Sequence, residues 1–375
     1  MQAAIGIDAS RAVIAQHTGT EHYSASLLRA LAELPEARAR SVALYVNLGD
    51  AREAEDRLRF ALPEAWRVRA IPFPRLWTHL RLSAEMVTHR PGVLFVPSHV
   101  VPLLHPRNTV VTVHDLGYFV YPQAHTRLSR IYLRASTWFS VRAAKRVIAI
   151  SQATKRDLMK YYGVPAGKIR VVYHGCDPVF RPIRDEKALE DVAARYGVSR
   201  PYCLHVGTLQ PRKNLGVLVE AWRLLRERME QAPALLLAGK RGWLYESLFE
   251  QVNRAGLDDL VKFADYVDQE DLPALYSGAL ALTFPSLYEG FGLPPLEAMS
   301  CGTPVICSNA TSLPEVVGDA GILLDPTDVE AWAAAVQRIA ENADERERLS
   351  QLGLAQAGQF KWERCARETW DVLSK

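Results

Sequence analysis

The sequence predicts an α/β protein made of two doubly wound parallel sheets, and three observations carry that expectation. Thirteen short, β-branched apolar runs alternate with longer segments of helical period. Most runs are continuously apolar rather than alternating, the pattern of strands covered by helices on both faces. After the seventh run a proline-punctuated polar stretch interrupts the series, and the charge changes sign: residues 1–180 hold 24 Lys/Arg against 13 Asp/Glu, the remainder 21 against 29.

In order, the first set of expected strands covers residues 3–8, 42–47, 67–72, 93–97, 109–114, 147–151 and 169–173. The second covers 202–206, 234–238, 261–264, 279–284, 303–308 and 321–325. Between them lies HGCDPVFRPIRDEKALEDVAARYGVSRP, where Pro178, Pro182 and Pro201 flank one expected helix. A boundary there gives an N-terminal domain of 1–180 and a C-terminal domain of 181–359. The tail, 360–375, reads as an amphipathic helix with Trp362, Trp370 and Leu373 to bury. Open α/β sheets bind ligands outside the carboxyl ends of their strands, so the expected site lies between the domains.

Composition removes several classes. With 49% hydrophobic and 23% charged residues the chain reads as globular. No apolar stretch approaches the roughly 20 residues of a membrane-spanning helix, and the N-terminus lacks a basic segment ahead of an apolar one; a cytoplasmic location is expected. Five cysteines lie scattered without a C-x-x-C pair, as buried small hydrophobes do. A net charge of only +3 and no recognition motif argue against nucleic acid.

The most informative segment is FPSLYEGFGLPPLEAMSCGTPVICSN, residues 284–309. A buried strand breaks at Glu289-Gly290-Phe291-Gly292, and a helix follows at Pro294-Pro295, because proline is tolerated in a first turn. The glycines let backbone amides approach a ligand, and a helix N-terminus favours an anion. Glu289 on the loop and Glu297 one turn into the helix bracket the spot.

Here the chain resembles the retaining GT-B glycosyltransferases of family four. Two glutamates with seven residues between them, set in E-G-F-G-L-P with Ala298-Met299 and Gly302-x-Pro304 following in order, are similar to that family's donor-site signature. Upstream, HVGTLQPRKNLGVLVEAW matches the turn that holds the donor diphosphate. Lys213 takes the phosphate-binding position with Arg212 beside it; where many members carry Arg after the glycine of Gly207, this chain has Thr208. In the first half, QHTGTEHYSASLLRAL is similar to the family's glycine loop, placing Gly19 and Thr20 near the donor. VTVHDLGYFVYP puts His114 at a strand end, where the resemblance assigns it to the donor sugar. The helix opening at Ser151 to Lys155 also fits. Tyr266 and Val267 resemble the base-contacting loop.

The resemblance implies a GT-B fold whose last helix returns to the N-terminal domain, and a hexosyltransferase moving sugar from a nucleotide diphosphate sugar to a glycan or lipid-linked acceptor. It implies Glu289 on sugar hydroxyls, Glu297 on the ribose, and the amides of Gly290, Phe291, Gly292 and Leu293 on sugar or phosphate. Lys213 and Arg212 stand in place of a metal, and no D-x-D sequence occurs. The opening IGIDAS and the H-D-L segment look most like bacterial mannosyltransferases of surface-polysaccharide assembly. That favours GDP-mannose, with UDP- or ADP-sugar as alternatives. Two rivals are a nucleotide-sugar epimerase on the same fold and a non-catalytic nucleotide-sugar-binding scaffold. Residues 75–146 hold ten Lys/Arg and only Glu85 and Asp115 as acids, with Arg127, Arg130 and Arg134 at helical spacing among apolar residues. This suggests peripheral contact with an anionic membrane face; the alternative is a solvated helix surface.

Overall fold

The computed structural model describes residues 4–14, 19–124, 126–242 and 246–375. All thirteen apolar runs form strands, divided between two compact units.

The first unit comprises residues 1–175 and 360–375. Its strands are β1 (Ile5–Asp8), β2 (Val42–Val46), β3 (Trp66–Ala70), β4 (Val93–Val96), β5 (Thr109–Val113), β6 (Arg146–Ala149) and β7 (Ile169–Val171). All pair in parallel, in the order β3-β2-β1-β4-β5-β6-β7, with Ile5 opposite both Val42 and Val93. Successive side chains leave opposite faces, so Val42, Leu44 and Val46 join one core layer while Ala43 and Tyr45 join the other. The first layer is closed by the helices Gly19–Glu33 and Trp362–Ser374, which pair Leu27, Leu28 and Leu31 with Ala366, Val372 and Leu373. A Cβ on Gly175 would stand 2.2 Å from the Trp362 amide nitrogen, so the last helix can start where it does only because that residue has no side chain.

The second unit spans 176–359. It contains β8 (Tyr202–Val206), β9 (Ala234–Ala238), β10 (Val261–Ala264), β11 (Ala281–Phe284), β12 (Val305–Ser308) and β13 (Ile322–Leu324), parallel in the order β10-β9-β8-β11-β12-β13. Trp222 and Trp332, both fully buried, fill one face against Leu235, Leu237 and Ile306.

In both sheets the winding reverses, between β1 and β4 in one and between β8 and β11 in the other. Loops leaving the carboxyl ends of such strands are where doubly wound sheets hold ligands. In the second unit those loops carry Gly207–Lys213 and Ser286–Gly292. In the first they carry Asp8–Arg11 and Ser98–His99, with His114 at the end of neighbouring β5.

Candidate functional site

In the second unit the two loops at the reversal point meet in a cluster of charge. Arg212 and Lys213 occupy a single 3₁₀ turn, Pro211–Lys213, and the helix Gly216–Arg228 begins three residues later. The cations therefore stand ahead of the helix, and the anion that draws them is the protein's own. Lys213 Nζ lies 2.6 Å and Arg212 Nη1 2.9 Å from Glu289 Oε1. Ser286 Oγ donates to the same oxygen at 2.6 Å. Burial alone would raise the Glu289 pKa, but the two cations and these hydrogen bonds hold it down at about 2. A carboxylate so held accepts hydrogen bonds and offers no proton. Lys213 also packs over the Phe284 ring at 4.6 Å.

The loop is fixed from behind. Glu289 N donates to Thr311 Oγ1 at 3.0 Å, while Ser312 Oγ reaches the carbonyls of Glu289 and Phe291 at 3.0 and 2.7 Å. Gly292 turns the chain with φ +119° into the helix Leu293–Ser300. Pro294 and Pro295 carry no N–H, and Leu296 N donates to Gly292 O at 3.3 Å. The first turn of this helix therefore offers few free amides, and the charge at the turn comes from the two cations.

Glu297 accepts from the buried Tyr276 hydroxyl at 2.8 Å through Oε2. Tyr266 is exposed beside Lys240, whose ammonium lies 5.5 Å from the ring, and Val267 is buried. Gly207 has φ +150°, and a Cβ there would press to 3.3 Å from Lys213 Cε; Thr208 is exposed.

In the first unit, His114 is buried at the end of β5. Its Nε2–H donates to the Pro97 carbonyl at 2.8 Å and its ring stands edge-on to Tyr23 at 4.8 Å. Burial lowers its pKa, so the ring is neutral and Nδ1 is its acceptor atom. Thr154 supports it, donating to the His114 carbonyl at 3.1 Å from a helix that Ser151 caps. Gly19 and Thr20 open the helix Gly19–Glu33, which also presents Glu21 to Arg11 at 3.0 Å. His99, half-buried, has its pKa lowered to about 4 by desolvation and then by the nearness of a second titratable imidazole, His114. Sequence reasoning missed Ser286, Thr311, Ser312 and Tyr276 in the second unit, and Arg11, Glu21 and His99 in the first. Serines and threonines near a loop have no spacing signature, and only tertiary contact shows which carbonyl or carboxylate they reach.

Two doubly wound units with this charged turn define a GT-B glycosyltransferase. The family model described as "Glycosyl transferases group 1" matches residues 193–355, and that described as "Glycosyltransferase Family 4" matches 17–180. The O-antigen chain mannosyltransferase B of Escherichia coli is 37% identical over 309 residues, covering 82% of this chain and 78% of the relative. The O-antigen chain mannosyltransferase RfbU of Salmonella typhimurium is 28% identical over 87% of this chain and 88% of its own. Among solved structures, Anabaena Alr3699/HepE in complex with UDP and glucose superposes with TM-score 0.75 at 21% identity over the whole of both chains. The glycosyltransferase WaaG does so at 0.71 and 16% over 99% of each. The chain belongs to the group 1 glycosyltransferases and transfers a sugar.

Proposed function

We propose that this chain is a retaining, metal-independent mannosyltransferase that moves mannose from GDP-mannose to a glycan or lipid-linked saccharide. The observation that carries the reading is the cluster of Lys213, Arg212 and Glu289 at the reversal point of the second sheet. Two fixed cations are placed to take a diphosphate, and Glu289, an obligate acceptor, suits sugar hydroxyls. Glu297 would take the ribose hydroxyls, the Gly290–Leu293 amides the phosphates, and His114 and the Gly19-Thr20 turn the sugar. The mannose assignment is supported by the printed names of the relatives at 37% and 28% identity. UDP, named with the HepE structure, keeps uridine donors as the competitor.

In the proposed reaction the bond between the anomeric carbon and the diphosphate oxygen breaks while the acceptor oxygen bonds to the same face of that carbon. The acceptor's proton passes to the departing phosphate oxygen. Lys213 and Arg212 offset the charge that grows on the diphosphate; a lost contact of this kind costs about 2.7–4 kcal/mol by analogy with an oxyanion donor. Metal independence is supported by the presence of these two cations, whose charge could do for a phosphate what a bound ion does elsewhere. Thermal-shift screening against GDP-mannose, UDP-glucose and ADP-glucose comes first, followed by mannosyl transfer with and without EDTA. Stabilisation by GDP-mannose and EDTA-resistant transfer are expected. Abolition by EDTA, or selective stabilisation by a uridine donor, overturns the corresponding part.

The reading extends to an anionic lipid surface. No helix among the described residues is long and apolar enough to cross a membrane. In the first unit, Leu128 and Ile131 on the helix Arg127–Ala143 are 81% and 63% exposed. A hydrogen bond of 2.9 Å from Tyr132 to His79 joins that face to the turn bearing exposed Leu80. Another, of 3.2 Å from Leu104 N to Ser83 Oγ, brings in exposed Leu103 and Leu104. Glu85, one of two acids in this stretch, is buried between Arg69 and Arg81, which leaves the surface cationic. Each cation at such a surface is worth about 1 kcal/mol. Co-sedimentation with phosphatidylglycerol vesicles, weak with phosphatidylcholine and lost in the Arg127→Glu/Arg130→Glu/Arg134→Glu variant, is expected; equal binding to both lipids refutes it.

A further inference from the structure

Lys213 has a second neighbour that the reaction as described does not use. His205 is the penultimate residue of β8, fully buried, with its ring stacked on Phe284 at 5.4 Å between centroids and 16° between planes. Its Nδ1 lies 3.0 Å from the Thr283 carbonyl. A carbonyl only accepts, so Nδ1 carries the proton and Nε2 is a lone-pair acceptor. That Nε2 is buried and has no hydrogen-bond partner among the described residues. A buried unpaired acceptor costs stability, and such groups in folded proteins call for an explanation.

The direction of Nε2 supplies one. A Cβ built on Gly207 would lie 3.4 Å from Lys213 Nζ and 3.6 Å from His205 Nε2, so ammonium and lone pair converge on the same glycine. Phe284 is shared as well, carrying the ammonium over its ring and the imidazole against it. Both groups border the space that a side chain at Gly207 would fill. Burial first, and then proximity to Lys213, disfavours a proton on the imidazole, which keeps Nε2 an acceptor near neutral pH.

We infer that His205 is a positioning residue for Lys213: when Glu289 turns its hydrogen bonds to the donor sugar, His205 Nε2 accepts from the Lys213 ammonium and holds it against the diphosphate. This rests on the assignment of Lys213 to that diphosphate. Without the acceptor, a flexible four-carbon stem would have to be ordered by the ligand alone, at the ligand's expense.

The test uses nucleotide binding by calorimetry, with whichever of GDP or UDP binds the wild-type chain, on His205→Phe, His205→Gln and Lys213→Ala. Phenylalanine keeps the stacking and removes the acceptor; glutamine returns an acceptor at the reach of Nε2. His205→Phe is expected to bind at least about tenfold more weakly, since a hydrogen bond to a charged group is worth about 1.5–3 kcal/mol. His205→Gln is expected to stay within about threefold of wild type. Wild-type affinity in His205→Phe overturns the proposal, as does a His205→Gln defect as large as that of His205→Phe. Should His205→Phe fail to fold, ¹⁵N imidazole spectra of the wild-type protein decide. Nucleotide should move the His205 Nε2 resonance upfield as it gains a hydrogen bond while Nδ1 stays protonated, and an unmoved resonance overturns the proposal. Unimpaired binding by Lys213→Ala would instead remove the diphosphate assignment beneath it.

Discussion

The two units wind their sheets in the same order yet treat a carboxylate near the reversal point in opposite ways. In the first unit Asp8, at the end of β1, is buried and accepts, among the described residues, from Ser10 alone, from the amide at 3.0 Å and the hydroxyl at 2.6 Å. Burial raises its pKa. In the second, Glu289 beyond β11 is surrounded by Lys213, Arg212 and Ser286, and its pKa falls to about 2. Topology makes the pocket in both cases, and the loop residues decide whether it is built for charge. The first unit keeps neutral histidines inside and arginines outside; the second keeps its cations at the turn.

Removing Lys213 should break this contrast most severely. Lys213→Ala is expected to lower turnover at least about a hundredfold, from the loss of one charge-assisted contact in the transition state. Arg212 still pairs with Glu289, so the fold should survive. Glu289→Ala differs, because it takes away the carboxylate that faces two cations, one of them almost fully buried. Breaking such a pair from one side costs about 3–5 kcal/mol, so its Tm should fall well below that of Lys213→Ala. Equal melting temperatures would show that the triad is not coupled. In the first unit Gly175→Ala is the counterpart: its Cβ meets the Trp362 backbone, and overpacking of this kind costs about 1–3 kcal/mol, read as a lower urea midpoint. Turnover per folded molecule should be retained.

How much of this was legible without coordinates differs between the units for a physical reason. Most strands declared themselves because a parallel strand buried on both faces has little choice but a continuous apolar run, as in TVVTV of β5 or ALLLA of β9, while WRVRA of β3 at the sheet edge keeps two arginines. The turn between Glu289 and Glu297 was legible because glycines and prolines mark where the strand ends and the helix starts, whereas the roles of the two acids came only from the family resemblance. What stayed hidden depends on contacts far apart in sequence: Thr311 holding the Glu289 amide, Ser286 reaching its carboxylate, His205 facing Lys213. Lys213 itself sits on a 3₁₀ turn ahead of the helix, since Pro211 fixes the backbone there and Asn214 leaves in the left-handed region at φ +56°.

Acid should separate the units. His99, with its pKa lowered to about 4, and His114 and His174, also lowered by burial, resist protons that an unfolded chain takes up near 6.5. Their contribution to stability is full above about 6.5 and is lost as pH falls below it. Asp8 runs the opposite way once it takes up its proton and offsets part of that loss. The second unit has His205 acting in the same sense as the other histidines, while Glu289 contributes fully above about 4.5 and loses its contribution only between there and about 2. Hydrogen exchange, corrected for intrinsic rates and followed from about pH 7.5 to 5.5, should show β4 and β5 losing protection before β8 and β11. The reverse order would contradict the assignment of neutral, buried histidines to the first unit.

The smallest expected effect concerns the base side of the second unit. Tyr276 is fully buried, and its hydroxyl spends its hydrogen bond on Glu297, which holds the carboxylate in one rotamer. In the proposed complex Glu297 must accept from two ribose hydroxyls at once, which requires its plane to be set beforehand. Tyr276→Phe removes one oxygen and no volume that packing needs. Its cost is the ordering of a single carboxylate, about 0.5–1.5 kcal/mol, or roughly two- to tenfold weaker nucleotide binding. The loss should be confined to nucleosides that keep both ribose hydroxyls. A 2′-deoxynucleotide, which cannot use a pre-set carboxylate fully, should bind wild type and Tyr276→Phe with more nearly equal affinity. An equal penalty for ribose and deoxyribose ligands would move Glu297 away from the sugar and leave the Tyr276 contact as packing alone.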